Sequence, residues 1–208
     1  MYSIKSFLLI FLAFLLTQCQ EKTLDTAPRE KTKSIESMAS VVIDSMVVLK
    51  KDLILDQLKG IWSYKNQPFN GFSTKYYPNG ILEEKLGFYN GKRQGIAKRW
   101  SDKGVLRVES NYNQNKLVGS YKTWWENGTL AEESIYDNGL LQGEQKQWYA
   151  NAQLAKLRNL DKGNEDGMQK AWLKNGTLYV NYEAKNGRVF GLMRSNLCYE
   201  LKNEVVTR

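Results

Sequence analysis

The chain has 208 residues, a formal net charge of +8 and a pI near 9.3. It contains no histidine, which removes the commonest general base and a common metal ligand together. The basic residues are interleaved with acids rather than gathered in one motif, which argues against a nucleic-acid partner, and two cysteines cannot make a disulfide framework.

Residues 1–18 read as a secretory signal. Lys5 precedes a nearly pure apolar run from Phe7 to Leu16, which is too short to cross a bilayer with ease, where about 20 residues are needed. Leu16-Thr17-Gln18-Cys19 comes next and resembles the lipobox of bacterial lipoproteins. The resemblance implies that Cys19 takes a diacylglyceryl group and becomes the mature N-terminus. Gln18 stands where that pattern has a small residue, and an ordinary cleaved signal with an incidental cysteine is the other reading. Several acyl chains anchor a protein firmly in a membrane. Gln20 after the cysteine, in place of Asp, implies an outer-membrane lipoprotein of a Gram-negative cell envelope.

Residues 19–37 are polar and charged without apolar periodicity, and read as a disordered tether. Over 38–70 apolar residues return. Two strands or an amphipathic helix fit the stretch to Leu58, and the β-branched run Val41 to Val48 favours strand. Gly60 to Tyr64 and Asn66 to Gly71 read as a strand and turn, a partial repeat that caps an array beginning at Gly71.

From 71 to 191 the chain repeats. Gly71, Gly95, Gly119, Gly143, Gly167 and Gly191 stand 24 residues apart. The fifth position after each of the first five glycines is Tyr76, Trp100, Trp124, Trp148 or Trp172. The eleventh is Leu82, Leu106, Leu130, Leu154 or Leu178. A fixed period of this length marks a repeat array. In the first copy Pro78-Asn79-Gly80 suits a three-residue hairpin loop, which pairs Tyr77 with Ile81 and Tyr76 with Leu82. Alternation then puts the aromatic, the leucine and Phe88 on one face, a trio repeated as Trp100, Leu106, Tyr112 and as Trp124, Leu130, Tyr136. Asn90-Gly91, Asn138-Gly139 and Asn186-Gly187 signal a second turn per copy. The expected fold is all-β, an elongated antiparallel meander of five 24-residue hairpin repeats.

Lysine keeps phase at the third position, as Lys98, Lys122, Lys146 and Lys170. In the register above these face Val108, Glu132, Lys156 and Val180, so only Lys122 meets an acid. They form either a basic stripe for anionic lipid or glycan, or a solvated row that keeps the sheet soluble. Trp125, Tyr149 and Tyr179 fall on a second face, where they are either contacts for a partner or packing for a second layer.

The spacing Gly-x₄-aromatic-x₃-Gly-x-Leu, carried best by Tyr76 to Gly80 and by Trp124 to Leu130, resembles the MORN repeat in its bacterial variant, as in antitoxin-like proteins of the YwqK type. The fourth copy departs at Ala152 and Leu160, the fifth at Tyr182 and Ala184, so local irregularity is expected there. The resemblance implies binding rather than catalysis. It leaves open a scaffold for protein, lipid or glycan in the envelope, an antitoxin that caps a toxin, or a passive spacer. Residues 192–208 read as a closing strand and tail, with Cys198 a buried or a reactive thiol. Asp102, Glu109, Glu132, Glu133 and Glu144 show no pairing motif, and the glycines lie at turns rather than in a phosphate loop. The sequence therefore points to no catalytic residue, no metal and no cofactor, and to two partners: membrane through Cys19 and an unidentified protein or envelope component.

Overall fold

The computed structural model describes residues 41–192. The signal, the tether, Cys19, Cys198 and everything past Leu192 lie outside the described residues. Between Gly71 and Lys185 five hairpins succeed one another, each a six-residue strand and an eight-residue strand: Gly71–Tyr76 with Leu82–Tyr89, Gly95–Trp100 with Leu106–Asn113, Gly119–Trp124 with Leu130–Asp137, Gly143–Trp148 with Leu154–Asp161, and Gly167–Trp172 with Leu178–Lys185. They form one antiparallel meander in chain order. Arg188–Leu192 pairs antiparallel to the last long strand.

The turn chemistry explains the hairpins. Gly80 N–H donates to Tyr77 O, and Tyr77 N–H to Ile81 O, each at 2.9 Å. Asn79 Oδ1 accepts from Ile81 N–H at 3.1 Å, fixing the loop through its own side chain. Asn127, Asn151 and Asn175 do the same in later copies. The fourth copy keeps this turn although Ala152 replaces glycine, at φ +64°. It also keeps the register of its neighbours, as does the fifth. The irregularity expected of these copies is absent, because Ala152 N–H still reaches Tyr149 O at 2.9 Å and the backbone carries the strain. An L-residue held left-handed costs about 1–2 kcal/mol. Ala152→Gly is therefore expected to stabilise the fold by up to about 1 kcal/mol, read as a higher urea midpoint with an unchanged slope.

The pairing Tyr76↔Leu82 holds, as do Trp100↔Leu106, Trp124↔Leu130, Trp148↔Leu154 and Trp172↔Leu178. One step later the register shifts in every copy. Lys75 pairs with Glu84 rather than with Glu83, so each second strand carries a β-bulge just after its leucine. The extra residue inverts the alternation beyond it. Phe88, Tyr112 and Tyr136 consequently lie on the face opposite the leucines and tryptophans, not beside them. The same shift corrects the lysine partners. Lys98 pairs with Glu109, Lys122 with Glu133, Lys146 with Leu157 and Lys170 with Asn181.

The two faces differ in burial. The tryptophans and leucines are half-buried, and Tyr76 is 49% exposed. The opposite face carries Ser73, Ala97, Gln145 and Gln169 at one position, Leu86, Ser110, Ser134 and Tyr182 at a second, and Phe88, Leu160 and Ala184 at a third. All of these are buried. The packed seam is this second set, called here the glutamine face.

At its N-terminal end the glutamine face is capped. A three-stranded sheet, Ile54–Asp56, Ile61–Tyr64 and Gln67–Pro68, brings Leu53 and Phe69 into one cluster with Leu86, Phe88 and Ala97, with Trp62 and Tyr64 against it. Ahead of that sheet, strand occupies only Val47–Leu49, which runs parallel to Gly71–Tyr76. Asp44, a poor strand former, interrupts the β-branched run, and no strand extends back over Val41. A short 3₁₀ turn, Lys50–Asp52, joins it to the cap.

Glu84 locks cap to array. The carboxylate is 4% exposed and is bound by Lys50 from the cap side and by Arg99, at 2.8 Å, from the next hairpin. Burial opposes its ionisation, but the two cations outweigh burial and hold it below the ordinary carboxylate value of 4.5. With the folded pKa lowered, its stabilisation is present above the unfolded pKa and is lost as pH falls through the folded one. Glu84→Gln is expected to be less stable than the wild type at pH 7 and to lose less on acidification below pH 4.5. Melting curves across pH 3–7, roughly the window in which carboxylates titrate, check both; parallel profiles would remove Glu84 from the acid response.

Candidate binding surface

Past the cap the glutamine face changes from apolar to polar. Tyr121 and Tyr136 meet edge to face at 5.5 Å. Burial, then the nearby Glu132 charge, pushes both phenols up. Glu132 gathers donors: Ser134 Oγ at 2.7 Å and Gln145 Nε2 at 2.8 Å on one oxygen, Gln147 Nε2 at 3.2 Å on the other. Gln145 passes the connection on, its Oε1 accepting from Arg158 Nη1 at 3.3 Å. Arg158 Nη2 reaches Glu165 at 3.4 Å, and Tyr182 OH donates to Glu165 at 2.7 Å. Burial, then the Glu165 carboxylate, pushes Tyr182 up to about 12, so it stays a donor at every physiological pH. One hydrogen-bonded chain thus crosses three hairpins.

These residues are brought together because each occupies the same place in successive copies. Gln145 and Gln169 are 24 residues apart, and Ser134, Arg158 and Tyr182 share another phase. A groove of about 460 Å³ opens beside the chain, lined by Lys156, Arg158, Glu165, Gln169, Tyr179 and Tyr182, among others. A second, of about 660 Å³, lies at the turn end between Tyr77, Arg99, Arg107 and Glu126. Among the described residues no group of three or more His, Cys, Asp or Glu gathers at metal-binding range.

The residues singled out in the sequence fall in three places. Trp125 and Tyr149 sit at hairpin turns and bind the next copy: Trp125 Nε1 donates to Trp148 O and Tyr149 OH to Trp172 O, each at 2.9 Å. Tyr77 OH does the same to Trp100 O at 3.0 Å. In the second copy Ser101 occupies that position and is too short, and Arg107 Nε donates to Trp124 O instead at 2.7 Å. These side chains link neighbouring hairpins, although Trp125 remains 39% exposed. Tyr179 stands apart from them, at the bulge, in the groove wall.

The lysines form the third group. Lys98 and Lys122 bridge to Glu109 and Glu133 at 2.9 Å, and Lys146 to Glu144 at 2.6 Å. The hydrogen bonds that Lys122 and Lys146 donate to Glu133 and Glu144 raise both above their ordinary value. Lys170 has no carboxylate partner among the described residues. Pairing therefore offsets much of this row's charge.

Hairpins that repeat in register and bond turn to turn define a β-repeat array, a class whose copies contact only their neighbours. A family model described as the MORN repeat variant matches residues 93–114 and 117–138, two consecutive periods of the array. MORN repeats suggest a binding scaffold assembled from repeats, and the family is generally non-catalytic. No curated protein matches the chain.

Proposed function

We propose that the chain is a non-catalytic scaffold held at the cell envelope by lipid on Cys19, and that it binds its partner through the polar end of the glutamine face. One observation carries this reading. The face is closed by an apolar cap at one end and continues at the other as an ordered network of charged and amide groups beside an open groove. A passive spacer has no need of such a network, and partly satisfied polar groups are costly to keep.

Two experiments test the two halves. Cys19→Ser should move the full chain from the membrane to the soluble fraction of a Gram-negative host, and a mutant that stays membrane-bound removes the anchor. Capture from envelope extracts by the wild-type chain, but not by Arg158→Glu, supports the face. Equal capture by both places the contact elsewhere. Recovery of one stoichiometric toxic protein would make the chain an antitoxin.

A further inference from the structure

We infer that the groove between the fourth and fifth hairpins binds an acidic sugar, a ring that carries both hydroxyl groups and a carboxylate. The inference rests on the proposed use of the glutamine face and names the chemistry of one site on it.

Gln169 points to a ligand that donates. The side chain is 2% exposed and lines the groove. Its Nε2 donates to Asn159 O at 2.8 Å and to Gly167 O at 3.2 Å. Turning the amide over would set its oxygen against two carbonyls, so the orientation is fixed. Oε1 is then a buried acceptor without a donor. Buried acceptors in folded proteins are nearly always satisfied, and a ligand hydroxyl at the groove floor supplies what is missing.

The cations point to an anion on the same ligand. Lys156 and Arg158 line the groove against one carboxylate, Glu165. Lys156 is exposed and has no carboxylate partner among the described residues. Arg158 is held loosely. Its contacts of 3.3 and 3.4 Å exceed the usual N–H···O range of about 2.7–3.2 Å. A ligand carboxylate offers the guanidinium a bidentate pair at about 2.7–2.9 Å, a stronger arrangement than it now has.

Tyr179 completes the wall with an aromatic ring, on which the apolar side of a sugar ring can lie. The volume of about 460 Å³ falls in the range of small-molecule sites, roughly 300–1,000 Å³. A simple carboxylate would leave Gln169 unsatisfied, and a neutral sugar would leave the cations unused.

The test is calorimetric titration of the full chain with a glucuronate-containing disaccharide, with maltose, with acetate and with glucose 6-phosphate. The acidic disaccharide should bind at least about tenfold more tightly than maltose or acetate. Lys156→Ala, at an exposed position, should weaken it by about tenfold without moving the melting temperature. Gln169→Leu should weaken it similarly; because that residue is buried, Tyr179→Ala serves as the second variant if it fails to fold. No heat at about 10 mM disaccharide, equal affinity for maltose, an unchanged Kd in Lys156→Ala, or tighter binding of glucose 6-phosphate than of glucuronate would each overturn the inference. Loss of this site alone leaves Arg158-dependent capture of an envelope partner intact, whereas failure of the scaffold reading removes that capture as well.

Discussion

Phe88→Ala will lower the unfolding free energy by about 3–5 kcal/mol, the usual cost of deleting a buried aromatic ring. Tyr76→Ala will cost about 1 kcal/mol or less, as expected of an exposed site. Phe88 has no exposed surface, and its ring lies 5.6 Å from Phe69 and 5.9 Å from Trp62, centroid to centroid. Its removal empties the contact between cap and array. Tyr76 is 49% exposed, although it heads the most regular aromatic column of the sequence. In an array each copy leans on its neighbours alone, so loss of the cap contact should also let the N-terminal hairpins open first. Urea unfolding followed by tryptophan fluorescence and by amide exchange measures both effects. Equal costs for the two variants would mean that the packed seam is the tryptophan face after all.

That contrast marks where the sequence could be read and where it could not. The 24-residue period, the hairpin turns and the pairing of tryptophan with leucine follow from glycine, asparagine and proline at fixed offsets. The bulge after each leucine does not. It is a backbone feature without a required residue type, since its extra position holds Glu83, Arg107, Ala131, Ala155 or Tyr179 in turn. Strict alternation without the bulge puts every residue beyond it on the wrong face and gives each lysine the wrong partner. It sets Lys98 opposite Val108, whereas the folded chain bridges Lys98 to Glu109 at 2.9 Å.

The candidate surface was legible only in part. Conspicuous aromatics drew attention to Trp125 and Tyr149, whose polar atoms bind the backbone of the next copy. Gln145 and Gln169 carried the stronger signal, an amide at one phase in consecutive copies, where Ser73 and Ala97 stand in the first two. Long amides at a phase that begins with small side chains are what a sheet face needs when it turns from packing to binding. A strand was legible in the β-branched run Val41 to Val48, but its parallel pairing was not, because nothing local distinguishes Val47 to Leu49 as a parallel edge.

Gly91→Ala will destabilise the chain by about 2–4 kcal/mol, against about 1–2 kcal/mol for Gly139→Ala. Both glycines occupy the same turn position, at φ +73° and +89°, so both substitutions carry the left-handed penalty. They differ in surroundings. A Cβ on Gly91 would meet Ile61 Cγ2 at 2.5 Å and Trp62 O at 2.6 Å, whereas one on Gly139 meets nothing within 4 Å. The cap cannot retreat cheaply. Gly91 N–H donates to Phe69 O at 2.8 Å, and Gly91 O accepts from Trp62 N–H at 2.7 Å, so the backbone that must move is bonded on both sides of the clash. The same turn therefore plays two roles: between interior hairpins glycine answers only to φ, and beneath the cap it also makes room for the closing sheet. Thermal melts of the two variants read the difference directly. If they fall together, the cap is not seated on Gly91 and the glutamine face has no closed end.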